Sequence, residues 1–484
     1  MQRPEILFHM EPSAFADCDC ACGTPYPAPN TSPPPLSGVW QARQPALTQS
    51  IERGTWRAYY VPTATTPVTV MNAAAQRLWS ALSEPRSVAE LVSLFDLPRT
   101  DVEAPLATMA RAGLIRPREA VEFAPPLEPQ PTTLTAWLYL TQQCNLRCSY
   151  CYVPHRNASM DEATARAAIA KLVETTKRHG YRRLKIKYAG GEPTLRFDLI
   201  RSTQSALTEQ SRAAGLEAES VVLTNGTTWN EERLDFIAEH GIHMAISLDG
   251  GAEAHNRLRA FPNGRSSYEK VLWTIEKALE RGIEITLSLT ITAWNLDGVS
   301  DVVRLAMEKA LPFNLNFVRE RQPQPWVPEA EALAQALHSA FRVMEQHIAT
   351  YPHPLTASFD RARFDFPHTH TCAAGRDYIA ILPDGRIAPC HMETANPLST
   401  IEATDPLAEV RRRSKATFAP TVDDMPDCAT CPWRYACGGG CPLLRGTEAH
   451  RRYCRIYRRF YPELIRLEGL RLLYRHRESP LSID

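Results

Sequence analysis

The sequence predicts an α/β protein with a partial (β/α)6 barrel at its centre, a small winged-helix domain before it and a cysteine-rich domain after it. Three observations predict this fold class. Six extended stretches alternate with longer helical patterns from residue 135 onward, as in parallel βαβ units. Two extended stretches followed by three short helical patterns precede them. Seven of the 13 cysteines lie in the last quarter of the chain, where Gly and Pro are frequent.

Length and composition bound the possible functions. A chain of 484 residues exceeds one ordinary hydrophobic core, so we expect roughly two to four domains. Lys plus Arg and Asp plus Glu each total 54, which gives no overall attraction to nucleic acid or to an anionic membrane. The first ten residues lack the apolar core of a signal peptide, and no uncharged apolar run approaches the ~20 residues that span a bilayer. The sequence therefore predicts a cytoplasmic protein without a membrane or nucleic-acid partner.

Composition also sets the predicted domain boundaries. Residues up to 36 are rich in Pro, Ser and Thr, and a second proline-rich stretch follows residue 120, as is typical of disordered segments and linkers. The predicted units are a disordered tail (1–36), the winged-helix domain (37–120), a linker (121–134), the barrel (135–355), the cysteine-rich domain (356–460) and a basic C-terminal helix (461–484).

Local signals support both folded units. Ser87 followed by Glu90 is a capping-box pattern, and Gly113 is placed to end the third short helix. The barrel strands are predicted at Ala136–Leu140, Leu184–Tyr188, Ala218–Leu223, His243–Leu248, Glu284–Ile291 and Phe313–Val318.

Cysteine usage indicates metal binding, because a cytosolic chain does not depend on disulfides. Cys144, Cys148 and Cys151 follow the first barrel strand with C-x3-C-x2-C spacing. Three thiolates leave one iron of a [4Fe–4S] cluster without a protein ligand, hence free to bind a substrate, whereas structural zinc needs a fourth protein ligand. The alternative is that the three cysteines pack one helix face, but the nearby Pro154 and poor helix formers favour a loop.

This loop, with Tyr150 just before its last cysteine, resembles the radical S-adenosylmethionine (SAM) superfamily. The resemblance implies that SAM binds the free iron, and that reductive cleavage of SAM yields a 5′-deoxyadenosyl radical that takes hydrogen from the substrate. Further segments at strand ends are similar to family motifs: Gly190-Gly191-Glu192-Pro193, Thr224-Asn225-Gly226, Ser247-Leu248-Asp249 and His255-Asn256-Arg257-Leu258-Arg259. The cofactor-binding residues that the resemblance implies are Tyr150, Gly190, Gly191, Glu192, Asn225, Ser247, Asp249 and Arg259. Each residue has loop or capping chemistry as its alternative.

The C-terminal cysteines have a second resemblance. Their spacing alone is compatible with a zinc ribbon, but the run is similar to the SPASM domain of radical SAM enzymes that act on peptides and proteins. The resemblance implies two auxiliary [4Fe–4S] clusters, one on Cys428, Cys431, Cys437 and Cys454 and the other on Cys372, Cys390 and Cys441.

Seven cysteines leave one iron of the second set without a cysteine. His368, His370, Asp365, water or the substrate are its candidate ligands, and we hypothesise that a substrate thiolate binds there. In sulfatase maturases of the family an aspartate that follows the cysteine corresponding to Cys390 acts as base. His391 stands there in this chain, which makes it a candidate catalytic base with a structural hydrogen bond as its alternative.

The winged-helix unit has two interpretations. A DNA-binding domain should be basic, yet residues 36–120 hold nine Arg against seven acidic residues and no Lys. The unit instead resembles the PqqD-like domains that recognise leader peptides in maturases of ribosomally made peptides. We therefore expect a leader to add as a strand to its sheet, and deletion of residues 1–120 to spare SAM cleavage.

Together these features predict a radical SAM maturase that installs a thioether or carbon–carbon crosslink in a precursor peptide, with flavodoxin or ferredoxin as electron donor. One alternative is a maturase of sulfatases or quinoproteins, and another is a zinc-dependent nucleic-acid-binding regulator. The sequence does not identify the substrate, the bond formed or the oligomeric state. It also assigns no role to Cys18, Cys20 and Cys22, and the nine arginines between Arg451 and Arg477 predict a solvated helix face.

Overall fold

The computed structural model describes residues 3–8, 36–51, 55–119, 131–320, 324–355 and 358–478. Cys18, Cys20 and Cys22 and most of the predicted linker lie outside these ranges. Among the helices of the described ranges, none has the length and apolarity needed to cross a membrane.

The N-terminal unit combines two small antiparallel sheets with three helices. Its larger sheet has the order β1-β5-β4-β3 and its smaller sheet the order β6-β2-β7. The elements are β1 (Ile6–Phe8), β2 (Val39–Ala42), β3 (Leu47–Ile51), β4 (Trp56–Tyr60), β5 (Val68–Asn72), α1 (Ala73–Ala81), β6 (Arg86–Ser87), α2 (Val88–Phe95), α3 (Arg99–Arg111) and β7 (Ile115–Pro117). The two strands and three helices predicted here are confirmed.

Strand β1 corrects the expectation that residues 1–36 are disordered. Its apolar residues pair antiparallel with β5, with Leu7 opposite Val70. The edge of β5 offers backbone hydrogen-bonding groups that a short apolar segment can satisfy.

The predicted helix start at Ser87 and helix end at Gly113 are both present in the structure. Glu90 N donates to Ser87 Oγ at 3.3 Å and Ser87 N donates to Glu90 Oε2 at 2.6 Å, which completes a capping box. Gly113 follows α3 with φ of +72°. A Cβ there would lie 2.5 Å from Thr65 N, so this helix end requires glycine.

The central unit is a parallel sheet with helices between its strands. Its elements are β8 (Thr133–Thr141), α4 (Glu162–Arg178), β9 (Arg183–Gly190), α5 (Phe197–Ala214), β10 (Glu217–Thr224), α6 (Glu231–Glu239), β11 (His243–Ser247), α7 (Ala252–Arg259), α8 (Tyr268–Glu280), β12 (Ile285–Ile291), α9 (Val299–Glu308), β13 (Phe313–Phe317) and α10 (Ala330–His347). Strands β8 to β13 pair in sequence order, and each pair is parallel. All six predicted strands are confirmed, while α7 falls in a segment that the sequence interpretation treated only as a motif.

The C-terminal unit continues the same sheet. Strand β14 (Tyr378–Ile381) pairs parallel with β8, and β15 (Arg386–Ala388) and β16 (Ser399–Thr400) extend the sheet antiparallel. The unit also contains α11 (Pro406–Phe418), α12 (Pro426–Ala429), α13 (Arg434–Cys437) and α14 (Glu448–Glu478). The predicted boundary between residues 460 and 461 therefore falls inside one helix, which begins before Cys454.

Helix α14 packs against the larger N-terminal sheet. A Cβ on Gly469 would lie 2.9 Å from Ala58 Cβ, so the helix approaches β4 closely. Residues of β4, of α14 and of the central unit belong to one buried hydrophobic cluster. Deletion of residues 1–120 would expose this face of α14, and the expectation that it spares SAM cleavage stays a prediction.

Candidate functional site

The first cysteine group lies in an irregular loop directly after β8. Residues 142–152 form no helix, so the alternative of one helix face is wrong. Burial raises the pKa of Cys144 to about 11, and burial and repulsion from Cys151 raise that of Cys148 to about 12. Without a metal these thiols are therefore protonated, and metal binding would have to deprotonate them. Leu146 N points its hydrogen toward Cys144 Sγ at 3.4 Å.

Gly190 and Gly191, at the end of β9, pack against the start of this loop. Gly191 N donates to Thr141 O at 2.9 Å and Glu192 N donates to Gln143 O at 2.9 Å. A Cβ on Gly191 would lie 2.2 Å from Gln143 O, and one on Gly190 would lie 2.2 Å from Thr141 O. The glycines thus let two loops approach closely, and their contact with SAM stays a prediction.

Glu192 is fully buried and joins two strand ends. Its Oε1 accepts from the Thr194 hydroxyl at 2.5 Å and from the Thr224 hydroxyl at 2.9 Å, and its Oε2 accepts from Asn225 N at 2.7 Å. Burial raises the pKa of this carboxyl while the hydrogen bonds oppose the change. The observed role is therefore to hold the ends of β9 and β10 together.

Asn225 connects β10 to the cysteine loop. Its Nδ2 donates to Asn145 Oδ1 at 2.9 Å and lies 3.7 Å from Cys144 Sγ. Its Oδ1 accepts from Thr227 N at 3.0 Å, which fixes the orientation of the amide. A predicted cofactor residue thus lies beside a predicted cluster ligand.

Asp249, Arg259 and Tyr150 form a second buried contact at this end of the sheet. Arg259 Nε donates to Asp249 Oδ2 at 2.6 Å, the Tyr150 hydroxyl donates to the same oxygen, and Thr290 N donates to Asp249 Oδ1 at 3.0 Å. The guanidinium lies 5.6 Å from the centre of the Tyr150 ring. Three predicted cofactor residues therefore meet. Ser247, a fourth, is half-buried and ends β11, two residues before Asp249.

His255 belongs to the scaffold of this contact. Its Nδ1 accepts from Asp249 N at 3.2 Å, and its Nε2 lies 3.0 Å from Ser267 Oγ. The Ser267 hydroxyl donates to Arg259 O at 2.6 Å, so the Nε2–H tautomer satisfies every partner. Burial and the nearby Arg259 lower the pKa of His255 to about 4, which keeps the ring neutral.

One cavity separates the first cysteine loop from a group of C-terminal cysteines. Tyr150 and Tyr152 line it on one side, and Cys372, Cys390 and Cys441 line it on the other. Thr290, Asn316 and Glu320, at the ends of β12 and β13, also line it. Groups that are more than 200 residues apart in the chain therefore face one space.

Aromatic residues that project from β8 form a wall beside this space, which we call the β8 wall (Trp137 and Tyr139). The Tyr139 hydroxyl lies 3.4 Å from that of Tyr152 and donates to His391 O at 3.2 Å. Trp137 stacks on the His391 ring with 4.4 Å between centres. The β8 wall thus connects the residue after Cys151 with the residue after Cys390.

His391 is buried in this arrangement. Its Nδ1 lies 3.1 Å from the Tyr378 hydroxyl, and burial together with Arg361 lowers its pKa to about 3. The ring is therefore neutral and lines the cavity. The structure shows the hydrogen bond that was the alternative to a basic role, and action as a base stays a prediction.

The remaining C-terminal cysteines line a second cavity, and they are Cys428, Cys431, Cys437, Cys441 and Cys454. Burial raises the pKa of Cys437 to about 12, with a further contribution from Cys454. Cys441 and Arg319 line both cavities. Cys441 therefore lies where the two cavities meet, and the assignment of the seven cysteines to two clusters stays a prediction.

In the described parts of the chain, no three His, Cys, Asp or Glu side chains converge closely enough to hold a single metal ion.

Charged side chains lie at the edge of the cavity of Cys372, Cys390 and Cys441. Arg319 and Arg361 line this cavity. Arg319 contacts Asp360 directly, and the Tyr457 hydroxyl also donates to Asp360.

The predicted candidate ligands for the iron that lacks a cysteine are His368, His370 and Asp365, and they lie outside the first cavity. His370 Nε2 lies 3.0 Å from Ala419 O, His368 N donates to Tyr435 O at 2.9 Å, and Asp365 lies 3.7 Å from Arg363. None of these three lines the cavity of Cys372, Cys390 and Cys441. Glu320 and His391 do line it, and the ligand that completes the second set stays a prediction.

Comparison with known families identifies the central unit. Residues 138–306 match the family model described as the Radical SAM superfamily. The central unit therefore carries a radical SAM domain, and the chain is an enzyme. The family match covers β8 to α9, which carry the first cysteine group and every predicted SAM contact. The superfamily uses a [4Fe–4S] cluster and SAM, so the predicted cofactors of the central unit are confirmed at this level.

Two curated relatives extend beyond the radical SAM domain. The serine-type anaerobic sulfatase-maturating enzyme of Klebsiella aerogenes is 23% identical over 345 residues, 66% of this chain and 82% of the relative. The PqqA peptide cyclase of Rhizobium meliloti (strain 1021) is 25% identical over 342 residues, 68% of this chain and 86% of the relative. Both alignments are longer than the 169 residues that the family model matches.

A solved structure shares the fold of much of this chain. The structure described as native anSMEcpe with bound AdoMet and Kp18Cys peptide has a TM-score of 0.58 and 18% identity, and the match covers 70% of this chain and 99% of that chain. At this identity the likeness concerns the fold.

Several site residues were not found from the sequence. Tyr139 and Trp137 alternate along a strand, which signals only a side of the sheet. Arg361 has a φ of +55°, a conformation that is uncommon outside glycine and more frequent at functional sites, but the sequence alone gives no sign of it. Arg319 and Glu320 directly follow β13, and position at a strand end was the signal that could have identified them.

Proposed function

We propose that this enzyme is a maturase that modifies a ribosomally synthesised precursor peptide by thioether or carbon–carbon crosslinking. The supporting observation is the cavity between Tyr150 and Tyr152 on one side and Cys372, Cys390 and Cys441 on the other. A substrate in this cavity would lie between the site of SAM cleavage and a second metal centre. The names of the relatives, a sulfatase-maturating enzyme and a PqqA peptide cyclase, support peptide or protein modification.

The proposed architecture is a partial (β/α)6 barrel followed by a SPASM domain. Three sets of cysteines would each hold a [4Fe–4S] cluster: Cys144, Cys148 and Cys151 for SAM, and the two C-terminal sets for auxiliary clusters. The first cluster would supply the electron that cleaves the sulfonium bond of SAM. Asp249 holds Arg259 at the cavity end of the sheet, where the guanidinium would bind the SAM carboxylate. Flavodoxin or ferredoxin is the proposed electron donor.

The N-terminal unit is proposed as a winged-helix, PqqD-like domain that binds a leader peptide. In the larger sheet β1 already covers β5, whereas β3 pairs only with β4 among the described strands. Thr48 and Ser50 of β3 are exposed. The open edge of β3 is therefore the proposed place of strand addition.

Replacement of Cys390 by alanine should separate SAM cleavage from peptide modification. The variant would lose an auxiliary cluster, about four irons per chain, and would form no crosslinked peptide. It would still release 5′-deoxyadenosine, because its first cysteine loop is unchanged. Iron and sulfide analysis measures the cluster content, 5′-deoxyadenosine release measures SAM cleavage, and mass spectrometry of the peptide measures its modification. Full product formation by the Cys390→Ala variant would contradict the proposal.

Proline substitution tests the β3 edge. Successive backbone N–H groups of a strand point to opposite sides, so only one of Thr48→Pro and Gln49→Pro removes a donor that faces away from β4. That variant should stay folded and bind a fluorescent precursor peptide about 3- to 10-fold more weakly, the loss expected for one backbone hydrogen bond. Thr48→Ala and Gln49→Ala keep the backbone donors and serve as controls. Unchanged affinity in both proline variants, with the fold intact, would exclude this edge.

A protein substrate is the second candidate. The sulfatase-maturating relative supports it, although His391 stands where the sulfatase maturases of the family have an aspartate. Incubation of the reconstituted enzyme with a sulfatase-derived peptide and with a precursor peptide distinguishes the two, since only the true substrate gains a mass change. Metal analysis tests the third possibility, a zinc-dependent regulator, since iron and sulfide in large excess over zinc would exclude it.

A further inference from the structure

Tyr60 places a buried hydroxyl without a partner near the second cavity. The residue ends β4 and is 1% exposed. Its hydroxyl oxygen has no hydrogen-bond partner among the residues that the structure describes. Burial of an unpaired hydroxyl is unfavourable, and such groups in native proteins are usually explained by a ligand or a water molecule.

Aromatic contacts connect the Tyr60 phenol with the second cavity. Its ring stacks on Trp433, with 4.9 Å between centres and 22° between planes, and meets the edge of Phe364 at 5.4 Å. Trp433 lies between Cys431 and Cys437 in sequence and lines the cavity of these cysteines.

The charged groups near the phenol are also those of the second cavity. Cys431 and Cys437, as thiolates, act on it electrostatically and, after burial, raise its pKa. Arg434 is the cation that opposes them. The anionic groups that the phenol faces are therefore the thiolates of the cavity.

The position of Tyr60 depends on packing between distant parts of the chain. Ala58, two residues earlier on β4, contacts α14 at Gly469, and the same helix carries Cys454 and Tyr461. Tyr461 stacks against Tyr457 with 5.7 Å between centres and lies edge-on to Trp433. The N-terminal sheet is thus packed against the structure that surrounds Cys428, Cys431, Cys437 and Cys454.

We propose that the Tyr60 hydroxyl donates a hydrogen bond to a sulfur of the cluster held by Cys428, Cys431, Cys437 and Cys454. The inference rests on the proposed function, because it requires a cluster at this site. Tyr60 is then a positioning residue from the peptide-recognition unit that tunes an auxiliary cluster. A hydrogen bond to a cluster sulfur stabilises the reduced state, and it raises the reduction potential.

The test compares reconstituted Tyr60→Phe with reconstituted Tyr351→Phe. Both variants remove one buried hydroxyl and keep the ring. The Tyr351 hydroxyl donates to Leu311 O at 2.9 Å, away from the cysteines, so Tyr351→Phe is the matched control. We expect equal iron and sulfide contents in both variants, and a lower reduction potential for one auxiliary cluster in Tyr60→Phe alone, followed by EPR during a redox titration.

Electron–nuclear double resonance in H₂O and D₂O gives a second measurement. Tyr60→Phe should lose one exchangeable proton coupling of the reduced cluster, and Tyr351→Phe should retain it. Equal potentials and equal couplings in the two variants, with the cluster present, would overturn the role of Tyr60. If Cys428→Ala leaves the iron content unchanged, the cluster itself is absent and the proposed function fails at this site.

Discussion

Replacement of Cys148 by alanine is expected to reduce 5′-deoxyadenosine release to the background of protein without a cluster. Cys144, Cys148 and Cys151 are the only cysteines of the described central unit, and a cluster held by three thiolates cannot keep its vacant iron in place with two. Anaerobic reconstitution, reduction with dithionite and chromatography of the products measure the loss. The same variant should also lose about four irons per chain.

Cys454→Ala is the matched control for this result. Cys454 lies on α14 in the other cavity, so its loss should remove iron without abolishing SAM cleavage. Wild-type release by Cys148→Ala would show that SAM cleavage does not depend on this loop, and the assignment of the first site would be wrong.

Replacement of Arg471 by methionine is expected to lower the free energy of unfolding by about 3–5 kcal/mol, the cost of leaving one partner of a buried ion pair uncompensated. Arg471 and Glu468 on α14 expose 2% and 1% of their side chains and are 2.6 Å apart. Leu355 N also donates to Glu468 Oε2 at 2.9 Å. Chemical denaturation of the variant and the wild type measures the difference.

The exposed pair of Arg451 and Glu448 on the same helix provides the control. Its side chains are 60% and 57% exposed, and Arg451→Met should cost about 0–1 kcal/mol. A double replacement of Arg471 and Glu468 by methionine should recover part of the loss, because no lone charge remains buried. Equal effects of Arg471→Met and Arg451→Met would mean that the buried pair does not stabilise the packing of α14.

The strands of the central parallel sheet and the first cysteine loop could be predicted because their signals are local. A buried parallel strand is a continuous apolar run, and the residues that follow it meet those that follow its neighbours. Asp249 and Arg259 therefore come together from two short motifs. The pairing of Tyr150 with Asp249 was not predicted, since it depends on the course of an irregular loop.

The predictions that were wrong concern contacts between distant segments. The tail was expected to be disordered, yet Ile6–Phe8 pair with β5. The final arginines were expected on a solvated face, yet Arg471 is buried. In both cases the deciding partner lies far away in sequence, on β5 or near residue 355, and neither composition nor periodicity reports on it.

The β8 wall has a consequence for what can enter the cavity. Strand β8 is buried along its whole length and is paired on both sides, by β9 and β14. Trp137 lies where both neighbours pair with β8, and Tyr139 lies one residue beyond the pairing with β14. This side of the cavity is therefore held by the sheet, unlike side chains on loops. We expect any movement that admits a substrate to come from the loops on the other sides of the cavity.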